Sequence, residues 1–234
     1  MHFIKLLKKE CAAMSELNKK PEQTNPDSYS PKTPKLAGLM MDSPVDNIVN
    51  GEEIPFLFKK QIIHLSKSVL VGKKVTYPTA KQGVPEEEGG NPHLSLLWDA
   101  CGRDGTFDWL ESQNDSVLME AYLGLYYNIN IDNDGMFSYL VGSLMAEGAA
   151  VPAGFACHAI PETDAAICWF KYEKGEDIWA INPHGVVDRY MAEQGYAGLF
   201  SGASGWCSEL YPFGEQPDEI LGYLIACREK VNEV

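Results

Sequence analysis

The stretch Cys207-Ser208-Glu209-Leu210-Tyr211 sets a carboxylate in the middle of an apolar, strand-like run. Strand alternation puts Cys207, Glu209 and Tyr211 on one face and Leu210 on the other. A carboxylate so placed needs a partner or a ligand if it is buried, because desolvation penalises an unpaired charge. The alternatives are a surface position or pairing with a lysine. Four aromatic residues are candidates to wall a cavity beside such a group: Trp98, Tyr127, Trp169 and Tyr211. Flat rings supply large apolar area and hold a cation over their faces, although any one of the four is by itself more at home in a packed core. Alternation sets Leu123, Leu125, Tyr127 and Ile129 on one face against Tyr122, Gly124 and Tyr126 on the other. The sequence does not decide which set meets a ligand, and Tyr127 is taken as the candidate.

Other chemistry finds little support. The histidines, His2, His64, His93, His158 and His184, show no HxxxH or HxH spacing, so no metal site is expected. There is no GxSxG, and Gly202-Ala203-Ser204-Gly205 lacks the lysine of a phosphate-binding loop and reads as an ordinary loop, so no cofactor is expected either. Glu86-Glu87-Glu88 reads as a solvated loop. Cys11, Cys101, Cys157, Cys168, Cys207 and Cys227 form no CxxC pair and read as reduced, mostly buried thiols, which suits a cytoplasmic protein.

The elements that would position these residues fall in a repeated order. The run Ser68 to Tyr77 is β-like, and a polar Pro/Glu/Gly loop separates it from a helix expected over 94–110, with Leu94, Leu97, Trp98, Cys101 and Trp109 near one face. Strands are expected over 117–131 and 137–145, joined by the turn Asp132-Asn133-Asp134-Gly135. The second half repeats this β-α-β-β order. A β run over 155–172, interrupted near Pro161-Glu162-Thr163-Asp164, leads to a helix capped by Asp177 and ending before Gly195, which Pro183 must kink or restart. Strands over 207–213 and 220–227 close the chain. The expected fold is α+β, two tandem β-α-β-β repeats forming one antiparallel sheet with helices on one side and a ligand groove between the halves.

Ahead of this domain, at 67–234, the chain differs in character. Residues 1–36 read as a flexible segment, with a short amphipathic helix conceivable over 1–17 and a polar linker over 18–34. Residues 37–66 read as an N-terminal extension or docking arm, with the apolar runs Leu36-Ala37-Gly38-Leu39-Met40-Met41 and Ile54-Pro55-Phe56-Leu57-Phe58 around the turn Asp42-Ser43-Pro44. The segment lacks the double-helix pattern of a helix-turn-helix. In 234 residues, 45% hydrophobic and 22% charged, the formal charge is −14. It is concentrated in 67–234, where ten Lys/Arg face twenty-five Asp/Glu, against nine and eight in 1–66. Such a field repels phosphate backbones and attracts cations, so direct nucleic-acid binding is not expected. No run reaches the length of a membrane span, and Lys5, Lys8 and Lys9 interrupt any signal-peptide core.

The motif order carries a resemblance. Val151-Pro152-Ala153-Gly154-Phe155, His158-Ala159-Ile160-Pro161, Trp169-Phe170, Ile178-Trp179, Gly195-Tyr196 and Glu209-Leu210-Tyr211 follow one another as in the GyrI-like, or AraC-type, effector-binding domains. Val71-Gly72-Lys73 and Leu97-Trp98 agree in the first half. The resemblance spans about residues 67–230. It implies a tandem β-α-β-β fold that binds apolar, often cationic, compounds between aromatic walls over a buried glutamate, to which Glu209 corresponds. The function expected is therefore a small-molecule-binding module for hydrophobic or cationic compounds, acting as a sensor through a regulatory protein partner or as a sequestering protein. The alternative is a hydrolase of strained cyclopropane-bearing compounds, with Glu209 and Tyr127 or Tyr211 positioning water and substrate. Inhibition of a macromolecule such as a topoisomerase by the acidic surface ranks last.

Overall fold

A computed structural model describes residues 45–82, 84–113, 115–129, 135–199, 205–213 and 219–230. The readings made for 1–44, for Asp132 to Asp134 and for Gly202 to Ser204 lie outside the described residues. The first elements are a small hairpin, β1 (Ile48–Val49) and β2 (Glu52–Glu53), followed by β3 (Leu57–Leu65) and β4 (Ser68–Pro78). Two helices come next, α1 (Ser95–Arg103) and α2 (Thr106–Glu111), then β5 (Ala121–Tyr127) and β6 (Met136–Ala146). The second half runs β7 (Ala156–Ile160), β8 (Thr163–Tyr172), α3 (Pro183–Glu193), β9 (Tyr196–Gly198), β10 (Trp206–Pro212) and β11 (Glu219–Glu229).

Three local readings need correction. The helix expected over 94–110 is two helices, because Gly105 takes a left-handed φ of 77° and Asp104 accepts a hydrogen bond from the Thr106 amide at 3.0 Å, starting a new helix. The helix expected from Asp177 is likewise split. Asp177 caps a 3₁₀ turn at Ile178–Ile181, and Asn182 then caps α3, its side chain accepting from the Gly185 amide at 3.2 Å with Pro183 in the first turn. The strand expected from Val117 begins at Ala121, Val117 making only an isolated bridge to Met145.

Nine strands form one antiparallel sheet in the order β3-β8-β11-β10-β5-β6-β4-β7, with β9 pairing β11. The order is a palindrome of the two halves: β10 pairs β5 at the centre, β11 and β6 flank them, then β8 and β4, then β3 and β7. Each half thus lends its first strand to the other. β7 pairs β4, and β3 pairs β8 from Leu57–Phe170 to Leu65–Thr163. The segment read as an extension or docking arm supplies β1, β2 and β3, with Lys60 of β3 reaching Asp46 and lying 5.6 Å from the Tyr190 ring centroid of α3.

The sheet has two apolar faces. On the face that bears none of the described helices, Leu70, Leu125, Leu140, Ile167, Trp169, Trp206 and Leu224 form one core that also takes in Ile63 of β3 and Ile160 of β7, so the outermost strands curve into the same cluster. On the other face α3 covers Ala166, Cys168, Phe170, Cys207 and Ile225, while α1 covers Phe137, Tyr139 and Val141. The two longest described helices therefore sit on one side, as expected. Cys101, Cys168, Cys207 and Cys227 are free, buried thiols, in keeping with the reading of reduced cysteines, whereas Cys157 is disulfide-bonded, which corrects that reading at this position. No described helix is long and apolar enough to cross a membrane.

Candidate functional site

The helix-bearing face of the two central strands is where the site forms. Glu209 of β10 lies directly opposite Gly124 of β5 and Tyr223 of β11. Gly124 leaves room that its neighbours fill: a Cβ there would stand 2.1 Å from the Tyr139 hydroxyl and 3.0 Å from the Trp98 ring. The Trp98 Nε1–H of α1 donates to the Tyr139 hydroxyl at 2.7 Å, and the Trp98 ring meets Tyr211 edge-on, centroids 5.1 Å apart. Tyr126 packs on Tyr139 at 4.6 Å and stacks with Phe137 at 6.1 Å. The result is a cavity of about 970 Å³ between the sheet, α1, the 79–94 loop and the turn bearing Trp179. That is near the upper end of drug-sized sites.

Glu209 lies at the floor of this cavity. Burial pushes its carboxyl up to about 7, against the opposing effect of hydrogen bonds from Tyr211, at 3.1 Å, and Tyr126. The loss of water that sets this shift is one that a bound cation would compensate. Among the described residues it makes no ion pair. The Tyr126, Tyr139 and Tyr211 hydroxyls are all raised by burial first and by the nearby Glu209 charge second. All three remain neutral, and Tyr126 and Tyr211 donate to the carboxylate.

The cavity brings together Glu209, Trp98 and Tyr211 from the expected set, and leaves out two others. Tyr127 points to the opposite face, its ring 3.9 Å from that of His158, whose imidazole is held down to about 4 by burial and by Lys74. Trp169 is fully buried in the opposite core, against Gly222 of β11. In their place stand Tyr126, Phe137, Tyr139 and Trp179, with Glu86 on the covering loop. Tyr126 was available as the other choice of the strand alternation, and the Phe137/Tyr139 pair carries the same period-two signal. Nothing in the local sequence marks Glu86 as part of the same cavity lining as Glu209. Among the described residues no cluster of His, Cys, Asp and Glu has the arrangement of a metal site.

No protein-family model matches this sequence, and no curated protein matches it. Solved structures do. That of SAV2435 bound to tetraphenylphosphonium is 19% identical, with 73% of this chain and 94% of that one covered and a TM-score of 0.51. A Staphylococcus aureus MU50 protein assigned to bacterial transcription regulation is 20% identical over 73% of this chain and 98% of its own, with a TM-score of 0.49. The EcmrR C-terminal domain is 12% identical over 74% and 98%, with a TM-score of 0.45. The likeness to the first shows a shared fold, in agreement with the GyrI-like resemblance of the motif order.

Proposed function

We propose that the chain binds hydrophobic cations in the cavity above Glu209, as a sensor or a sequestering protein. One observation carries this reading: a desolvated carboxylate with no cationic partner among the described residues sits at the floor of an aromatic-walled cavity. Aromatic faces and a carboxylate freed from water favour a large, weakly hydrated cation over a small, strongly hydrated one. The structural relative bound to tetraphenylphosphonium supports the choice of ligand class. The roles of Trp98 and Tyr211 are to wall the site and, for Tyr211, to hold the Glu209 carboxylate.

Titration calorimetry with tetraphenylphosphonium at pH 8 tests the proposal. Micromolar binding is expected in the native chain, weakened at least tenfold in Glu209→Gln, since loss of a buried charge partner costs on the order of 2 kcal/mol or more. Equal affinity in both proteins, or no binding in either, would remove the basis for the reading. Repeating the incubation with an electrophilic cyclopropane compound and weighing the products distinguishes binding from hydrolysis: a water-added product lost in Glu209→Gln would move the function to the hydrolase alternative.

A further inference from the structure

The cavity has a second carboxylate. Glu86 lies on its lining at the exposed end, in the loop between β4 and α1, whereas Glu209 lies at the buried end on the sheet. The same lining holds the aromatic rings of Tyr126, Phe137, Tyr139 and Trp98. No Lys or Arg lines the cavity among the described residues. The loop that carries Glu86 is braced by its own hydrogen bonds. The Gly89 amide donates to the Glu86 carbonyl and the Gly90 amide to the Pro85 carbonyl, both at 3.0 Å, and Asn91 Nδ2 donates to the Pro78 carbonyl at 2.8 Å. Glu86 is thus held at the mouth by a folded turn, and its charge is not offset by any described ion pair.

We infer that the cavity takes a two-ended ligand, an elongated aromatic or amphiphilic dication with one cationic end at Glu209 and the other at Glu86. The inference rests on the binding reading of the same cavity and adds a specificity determinant to it. A volume of about 970 Å³ exceeds what a single compact cation fills, and a monocation seated on Glu209 leaves the mouth carboxylate unused. Coulomb attraction at an exposed carboxylate is modest and falls with salt. The preference for two charges over one should therefore be large at low ionic strength and fade at high.

The experiment uses the full chain at pH 8, with dequalinium, in which an alkyl chain joins two aminoquinolinium rings, and its single-ring decyl half-molecule. At low salt the native protein is expected to bind dequalinium about fivefold more tightly than the half-molecule, an exposed-pair effect. Raising the salt to near molar should bring the ratio towards two, the statistical factor for a ligand with two equivalent ends. Glu86→Gln should also bring it towards two, while Glu87→Gln, a neighbouring charge off the cavity lining, should leave it in place. Binding of the half-molecule with no preference for the dication beyond that factor, or a preference lost equally in Glu86→Gln and Glu87→Gln, overturns the inference and leaves the binding reading intact. Failure of the native protein to bind either compound overturns both.

Discussion

On the proposed reading, Glu209 ties ligand, proton and stability to one carboxylate. With its carboxyl raised to about 7, the empty site is half protonated near neutrality. A cation binds the ionised form, so affinity is expected to fall about tenfold per pH unit below 7 and to level off above it. Calorimetry in buffers of different ionisation heat should show proton release on binding near pH 7, and Glu209→Gln should abolish both effects. Stability of the free protein runs the opposite way. The unfolded carboxyl titrates near its ordinary value of 4.5, so between there and about 7 the folded chain holds a proton that the unfolded chain has lost. The stabilisation is complete below 4.5 and is lost as pH rises through 7. Urea unfolding of the ligand-free protein at pH 5 and pH 8 should record this decline, and Glu209→Gln should lose less across the same interval.

The central strand pair sets how close the walls come. Gly124 on β5 admits the Tyr139 hydroxyl against the backbone, so Gly124→Ala must displace both Tyr139 and the Trp98 ring it bonds. A destabilisation of about 1–3 kcal/mol is expected from overpacking, with weaker ligand binding, both read by denaturation and titration. Adding Tyr139→Phe should recover part of the stability, because it removes the atom that the new methyl meets. The same strand shows what the sequence makes legible. Glu209, Tyr211 and Trp98 could be read from alternation, helix face and motif order because these are local signals. Tyr126 and Tyr127 could not be separated, since a period of two leaves the choice of face to whichever neighbour covers it. Trp169 has the same ambiguity, settled by the register that sets it opposite Gly222. β3 was hidden for another reason. Lys59-Lys60-Gln61 breaks its apolar pattern, and the strand gains its place by pairing with β8 and by bringing Lys60 to Asp46, partners visible only in three dimensions.

Across the whole molecule, β3 completes an otherwise lopsided sheet. A chain starting at residue 67 would lose the buried Leu57, Ile63 and Leu65 and bare the β8 edge. The expected cost is on the order of 5 kcal/mol from the lost apolar burial, enough to unfold a marginal domain. Thermal melts of chains beginning at 45 and at 67 would measure it, since only the shorter one lacks the strand. The exchange of first strands also fixes an order of events during synthesis. β3 finds its partner only when the run ending at Tyr172 has left the ribosome, and the floor of the cavity needs β10 seated between β5 and β11. Long loops must close before these contacts repay their entropy. A nascent chain therefore carries the aromatic residues Trp98, Tyr126 and Tyr139 well before the carboxylate of Glu209 that they surround. The pocket can close only after β10 of the second half has been made.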